Sequence, residues 1–421
     1  MTPPARLAAA IALLEAIEAS PRRPADAVAN GFFRDRRYIG GGDRRAVADQ
    51  VWFVLRHWRR LAWWIERVGG ETSPRLLAAS MAVLEGRPAE SVARAFSGGR
   101  YAPDTLEAAE LRVLDALNGH TIAHPEMDDA VRLEVPDWLL GRLQARFGND
   151  IEAELAALTG AAPLDLRVNL LRGTREAARA SLAEEAIESE PTPLSPWGLR
   201  VRGRQNVTAT AAFKSGLLEI QDEGSQLVVA ALDAGPEMRV VDYCAGAGGK
   251  TLGLAMTMGN RGHIVACDVS APRLEGAVRR LRRAGVHNVE RHLIVPGDKW
   301  AKRRAASFDR VLVDAPCTGT GTWRRNPDAR LRLREQDLAE LVVKQADILQ
   351  RASALLRPGG MLVYATCSVL AEENELQIEA FRAQHPAFSL VAHTAASQYL
   401  RLTPRRDGTD GFFAARLARN P

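Results

Sequence analysis

The chain has 421 residues, 46% of them hydrophobic and 25% charged, a balance that excludes a disordered or low-complexity protein and leaves room for about three domains. Its formal net charge of +5 is a modest excess that fits an acidic partner such as nucleic acid. The four cysteines, Cys244, Cys267, Cys317 and Cys367, form no CxxC pair and no Cys/His cluster, so no metal is expected and the thiols read as reduced in a cytoplasmic protein.

The opening segment MTPPARLAAAIALLEAIEAS carries Glu15 and Glu18 within its apolar run and is too short and too charged for a signal peptide or membrane span. Leu7, Ile11 and Leu14 fall on one helical face. Val47, Val51, Val54, Leu55 and Trp58 repeat at i, i+4, i+7, i+8 and i+11 behind an N-cap placed at Asp43. An all-α domain is expected over residues 1–130. Within it, Trp52, Trp58, Trp63 and Trp64 alternate with arginines, which fits either a core stripe with basic flanks or an RNA-stacking surface. Basic residues cluster at Arg34/Arg36/Arg37, Arg56/Arg59/Arg60, Arg279/Arg280/Arg282/Arg283, Lys299/Lys302/Arg303/Arg304 and Arg324/Arg325. Each alone reads as a solvated helix face; together they lean toward a phosphate backbone.

After Pro125 the pattern changes. VPDWLLGRLQARFG (Val135 to Gly148) predicts a helix, DLRVNLL (Asp165 to Leu171) a strand, GTREAARASLAEE a helix capped by Thr174, and GLRVRG a short strand, which together make a small α+β bridge domain over 131–210. From 211 to 421 strands and helices alternate: RVVDYC, HIVACD, NVERHLIV, FDRVLVDAP and GGMLVYATCS, with a long helix from about Gln336 to Leu356 between the last two. That order predicts an α/β, Rossmann-like doubly wound parallel sheet whose ligands sit at the carboxyl ends of the strands.

The stretch VVDYCAGAGGKT, Val240 to Thr251, ends like a phosphate-binding loop. Such a loop needs glycine where Cys244 stands, so the ATPase reading is disfavoured. The glycines present, Gly246, Gly248 and Gly249, let a backbone turn approach a ligand closely. Asp268 closes the next strand eighteen residues after Lys250, where a carboxylate can accept the ribose hydroxyls of an adenosine-containing cofactor. Asp298 follows the third strand and reads as a contact to the adenine amino group or as a loop-solvating residue.

Two thiols arrive at the same sheet edge, Cys317 in DAPCTGTG (Asp314 to Gly321) and Cys367 in ATCS (Ala365 to Ser368). A lone strand cysteine is usually a small buried hydrophobe; two at adjacent strand ends, one beside Asp314, fit covalent catalysis on a pyrimidine. A thiolate that adds to carbon 6 of cytosine makes carbon 5 nucleophilic toward a methyl donor, while a carboxyl group such as Asp314 handles the proton at nitrogen 3. The spacing does not say which thiol attacks.

At these residues the sequence resembles the Nol/Nop/Sun family of RNA cytosine-5 methyltransferases, and within it the bacterial branch that acts on small-subunit ribosomal RNA. The family's loop CAAPGGK is here CAGAGGK, so Ala247 stands in place of a proline, and DAPCSGTG is here DAPCTGTG, followed by RRNPD at Arg324 to Asp328. EIQDEGSQL and DGFFAARLAR also resemble family segments, and the helical N-terminus resembles a NusB-type RNA-binding domain. The resemblance implies S-adenosylmethionine as cofactor, held by Cys244, Ala245, Gly246, Ala247, Gly248, Gly249, Lys250, Asp268, Asp298 and Asp314. It further implies Cys367 as nucleophile, Cys317 as the thiol that assists release, and RNA as partner, with no membrane or metal. A monomer acting on ribosomal RNA is expected; transfer RNA and a non-catalytic RNA-binding role are the competing readings.

Overall fold

The computed structural model describes residues 1–203 and 205–421. The chain divides into two compact units, one made of Met1–Gly160 with Trp323–Arg334 and the other of Ala161–Thr322 with Glu335–Pro421. These do not follow the boundaries at 130 and 210 drawn from the sequence. The helices Asp137–Phe147 and Ile151–Thr159 fall in the first unit, and the small sheet shares the second with the large one.

The first unit is helical and fits a NusB-like domain. Helices Pro3–Glu18, Gly41–Arg56, Trp58–Arg67 and Pro74–Leu84 close over a core that includes Leu13, Leu14, Val47, Val51, Leu61, Ile65 and Leu77. Two details differ from the sequence expectation. Asp43 is not the N-cap, because the helix already begins at Gly41; its carboxylate accepts from the terminal ammonium at 2.9 Å and from Arg6 Nε at 2.7 Å. The i+11 repeat to Trp58 spans two helices, since the backbone breaks at His57. Trp64 is core, and Trp52, Trp58 and Trp63 pack half-buried against that same core, which is the bland reading of the aromatic run.

The segment Trp323–Arg334 is bound into this unit by polar contacts. Asp328 accepts from the Ala25 N–H at 3.0 Å, where Pro24 offers the helix Ala25–Asp35 no side-chain cap, and it pairs with Arg332 at 2.6 Å. Arg330, fully buried, donates to Thr159 Oγ1 at 3.1 Å and to the Arg56 carbonyl. Buried Glu134 accepts from the backbone N–H groups of Arg59 and Arg60 and pairs with the Arg60 side chain at 3.1 Å.

In the second unit, strands β1 (Leu164–Val168), β2 (Ser189–Pro191), β3 (Gly198–Val201) and β4 (Leu218–Ile220) form an antiparallel sheet in the order β2-β3-β1-β4. Thr174 caps the following helix, Arg175–Glu184, by accepting from the Ala177 N–H at 3.2 Å. β1 is shorter than DLRVNLL because Asn169 turns the chain: its side chain accepts from the Leu171 N–H and donates to the carbonyls of Gly216 and Ala284.

The large sheet holds β5 (Arg239–Asp242), β6 (His263–Asp268), β7 (Val289–Leu293), β8 (Phe308–Asp314), β9 (Leu356–Thr366), β10 (Phe388–Val391), β11 (Leu400–Leu402) and β12 (Phe412–Arg419). Its order is β10-β12-β9-β8-β5-β6-β7, with β11 paired to β12. β7, β6, β5, β8 and β9 are mutually parallel, whereas β12 runs antiparallel beside β9. Val240, Val241, Ile264, Val265, Val311 and Leu312 are buried on both faces, as helices on each side require. After β5 the chain adds β6 on one side and later β8 on the other, so the strand order reverses there and a crevice opens at the carboxyl ends. Among the described residues no helix is long and apolar enough to cross a membrane.

His57 gives the helical unit a built-in acid sensitivity. Burial, with Arg60, Arg330 and Arg56 nearby, pushes its pKa from 6.5 down to about 3. The unfolded chain therefore takes up this proton first as pH falls, and stability drops between about pH 6.5 and pH 3, by up to ~1.4 kcal/mol per pH unit. Urea unfolding followed at about pH 7.5 and about pH 5 should show this loss in the wild type and a smaller one in His57→Gln.

Candidate active site

The loop after β5 is shaped by its glycines. Gly246 and Gly248 adopt φ of +55° and +79°, the left-handed region that side chains avoid. A Cβ at Gly248 would come within 3.1 Å of the Ala277 methyl, whereas one at Gly246 would enter open space. The turn is fixed to the neighbouring strand by the Ala245 N–H, which donates to the Cys267 carbonyl at 2.8 Å. Asp268, at the end of β6, accepts from the Gly246 N–H and the Ser270 N–H, each at 2.8 Å. A carboxylate has about four acceptor sites, which leaves capacity for a ligand. Burial pushes the thiol pKa of Cys244 and Cys267 upward.

Lys250 does not reach for a phosphate. Its ammonium pairs with Asp314 Oδ2 at 2.6 Å and lies over the Phe412 ring, 5.4 Å from the centroid. Burial opposes the charge, but attraction to Asp314 outweighs it and the lysine pKa is raised. Behind the pair, fully buried Asp242 accepts from Thr251 Oγ1 at 2.7 Å, and burial pushes its pKa up to about 7.

The two thiols meet. Cys317 Sγ and Cys367 Sγ lie 3.4 Å apart. The hydrogen bond to Cys367, with burial adding to it, raises the Cys317 pKa well above its ordinary value, so Cys317 stays a neutral S–H at physiological pH. Their loops are tied by a buried polar network that the sequence did not announce. Glu373 accepts from the Thr318 N–H at 2.8 Å, from Thr318 Oγ1 at 2.5 Å and from Gln345 Nε2 at 2.9 Å. Thr320 and Ser368 hydroxyls are 3.0 Å apart, the Gly321 N–H donates to the Cys367 carbonyl at 2.9 Å, and Asn374 Nδ2 donates to the Ser368 carbonyl at 2.9 Å.

These parts enclose a cavity of about 600 Å³ lined by Tyr243–Ala247, Asp268, Val269, Arg273, Ile294, Asp314–Cys317, Lys344, Asp347, Ile348, Arg351 and Cys367. Of the expected site residues, Cys244, Ala245, Gly246, Ala247, Asp268, Asp314, Cys317 and Cys367 face it. Gly248, Gly249, Lys250 and Asp298 are not among the lining residues. Asp298 accepts from the Trp300 N–H at 2.7 Å, and its other oxygen is 2.6 Å from His292 Nε2. The Trp300 N–H, with His292, holds its carboxyl below the usual range.

Val269 and Ile294 went unnoticed in the sequence. Val269 is 69% exposed at the cavity wall beside Asp268, an apolar surface suited to a flat ring. Basic residues divide as well. Arg280 and Arg283 turn inward onto Glu219, while Arg279, Arg282, Lys299, Lys302, Arg303 and Arg304 are exposed. Among the described residues no group of His, Cys, Asp and Glu is placed to hold a metal ion.

Residues 229–418 match the family model of the 16S rRNA methyltransferase RsmB/F, and residues 135–208 match the ferredoxin-like domain of the same group. The chain belongs to the RsmB/F family. It is 35% identical over 287 residues to the ribosomal RNA small subunit methyltransferase B of Pectobacterium carotovorum, a match covering 68% of this chain and 66% of that relative's length. Among solved structures, that of PH0851 superposes with a TM-score of 0.82 at 27% identity, over 100% of this chain and 99% of that one. A methyltransferase homolog from Pyrococcus horikoshii gives 0.63 at 29% identity, over 71% of this chain and all of that one. The cofactor of the RsmB/F family is S-adenosylmethionine. The cavity fits it: Asp268 has acceptor capacity for hydroxyls, Val269 and Ile294 offer apolar walls, and bare Gly246 lets the turn approach.

Replacing Glu373 tests the network. In Glu373→Gln an amide NH2 takes the place of one acceptor oxygen and meets buried donors, which should cost about 1–3 kcal/mol. Iodoacetamide modification of Cys317, mapped by mass spectrometry, should then be several-fold faster than in the wild type, with a lower melting temperature.

Proposed function

We propose that the protein transfers a methyl group from S-adenosylmethionine to carbon 5 of a cytosine in RNA, with small-subunit (16S) ribosomal RNA as substrate, through a covalent cysteine adduct. One observation carries the chemistry: two thiols 3.4 Å apart, one hydrogen-bonded to the other, at a cavity that also presents the Lys250-paired Asp314. The family models support the ribosomal target.

When bound, S-adenosylmethionine supplies an electrophilic methyl group. Cys367 is the nucleophile that adds to carbon 6 of the base, and the enamine so formed makes carbon 5 reactive. The Cys317 S–H supports negative charge on Cys367 by donating to it, since the raised Cys317 pKa keeps the proton on Cys317. Asp314 stabilises the proton at nitrogen 3 as electrons move there, and Lys250 sets the orientation and charge of that carboxyl group. Once carbon 5 carries the methyl, Cys317 passes its S–H proton to the departing Cys367 sulfur and takes the carbon 5 proton in its place, so the carbon 6–sulfur bond breaks and the ring double bond is restored. Exposed Arg279, Arg282, Lys299, Lys302, Arg303 and Arg304 are the phosphate contacts. The target cytosine must be unpaired or flipped out to meet the thiol. The enzyme works as a cytoplasmic monomer without a metal.

Labelled S-adenosylmethionine and free small-subunit ribosomal RNA, incubated with wild type, Cys367→Ala and Cys317→Ala, test this reading. Cys367→Ala should lose at least about a hundredfold in methyl transfer, and Cys317→Ala should accumulate a protein–RNA adduct that resists denaturation. Undiminished transfer by Cys367→Ala would overturn the assignment.

A further inference from the structure

We infer that Arg167 and Arg280 are positioning residues that set cofactor affinity from behind the Ala245–Gly249 turn, which makes the small α+β sheet part of the cofactor site. The inference rests on the S-adenosylmethionine-dependent reading above. Arg167 projects from β1 and is 2% exposed; its Nη1 donates to the Gly249 carbonyl at 2.9 Å and to Gln221 Oε1. Arg280, on the helix Ala271–Ala284, donates through Nη1 to the Ala247 carbonyl at 2.7 Å, and its Nη2 lies 3.4 Å from Glu219 Oε1. Two carbonyls of one turn, two residues apart, are therefore each held by a guanidinium from a different element.

The effect on a ligand follows from peptide geometry. A C=O and the next N–H share one rigid plane and point in opposite directions. A carbonyl drawn back onto Arg167 therefore directs the Lys250 N–H away from it, at the start of the helix Gly249–Thr257, where N–H groups lack helical partners. Arg280 fixes the peptide plane ahead of Gly248, whose N–H donates back to the Ala245 carbonyl at 2.9 Å and closes the turn. The guanidinium lies beside the turn: a Cβ at Gly249 would sit in ordinary contact with it, 3.6 Å from Arg280 Nη2.

Charge points the same way. Glu219 pairs with both Arg280 and Arg283, the latter at 2.6 Å, and its charge also acts on Arg167. Three guanidinium groups thus share one carboxylate, and the surplus positive charge lies behind a helix N-terminus that already favours anions. S-adenosylmethionine carries a carboxylate beside its ammonium and sulfonium, and it is the carboxylate end that this charge favours. Burying Arg167 is costly, as its pKa, lowered by burial to about 10, reflects; an apolar residue could fill the space without that cost but could not hold the Gly249 carbonyl.

The test uses the full chain. Calorimetric binding of S-adenosylmethionine is measured for wild type, Arg280→Met, Arg167→Met and the exposed control Arg261→Met, followed by methyl transfer at saturating cofactor. The cofactor Kd should rise about tenfold in Arg280→Met and at least as much in Arg167→Met, with kcat within about twofold and the control unchanged. Should Arg167→Met fail to fold, Arg280→Met, whose side chain is only half-buried, carries the test. A Kd within twofold of wild type in Arg280→Met overturns the inference and leaves the functional reading intact, as does an equal fall in kcat that marks general loosening. A wild type that does not bind the cofactor sinks the functional reading together with this inference.

Discussion

The buried carboxylate of Glu373 is the contact on which the catalytic geometry depends. Two strand ends bring Cys317 and Cys367 to one edge of the sheet, but a strand end alone does not bring two sulfurs within 3.4 Å. Glu373 does so by accepting three hydrogen bonds, two from Thr318 beside Cys317 and one from Gln345 on the helix Glu335–Ser353. Asn374, next in sequence, holds the Cys367 loop through Thr366 and the Ser368 carbonyl. A buried network of this kind rigidifies only when its members are satisfied. Two of the three donors to Glu373 are the backbone and short hydroxyl of Thr318, which lose little entropy on ordering.

A second theme is where the cations go. Charge clusters in the sequence look alike, yet the structure gives them different work. Lys250 neutralises Asp314, Arg167 and Arg280 hold carbonyls of the cofactor turn, and Arg330 and Arg60 satisfy buried acceptors in the helical unit. Exposed basic residues of these clusters include Arg34 and Arg37 in the helical unit, Arg279 and Arg282 on the helix Ala271–Ala284, and Lys299, Lys302, Arg303 and Arg304 around the short helix Trp300–Arg303. The inward-turned arginines do not reach a phosphate backbone, so the net charge of the chain is not all RNA-binding surface.

The parallel sheet was legible because its strands are short apolar runs divided by turn signals, and the reversal at β5 follows from their order. The turn glycines, Asp268, Asp314 and the two thiols could be placed because each sits at a strand end, where chemistry-bearing residues stand out. Other features were hidden for physical reasons. The helix break at His57 leaves the apolar repeat almost in phase, so one helix and two give the same pattern. Glu373, in AEEN, looks like a solvated loop acid, and nothing local shows that it is buried. Arg167 carried a faint signal, a charge between apolar residues of a strand buried on both faces. Asp298 was read from its position after the third strand and from family resemblance; in the structure its oxygens hold the Trp300 N–H and meet His292, contacts that the sequence did not show.

The central claim is that Cys367 attacks the base while Cys317 keeps its proton. RNA in which cytosine is replaced by 5-fluorocytosine tests it directly, because a fluorine at carbon 5 cannot leave as a proton and the adduct is trapped after methyl transfer. Digestion of the trapped complex and mass spectrometry of the cross-linked peptide should place the nucleotide on Cys367. A cross-link on Cys317 instead would contradict the account.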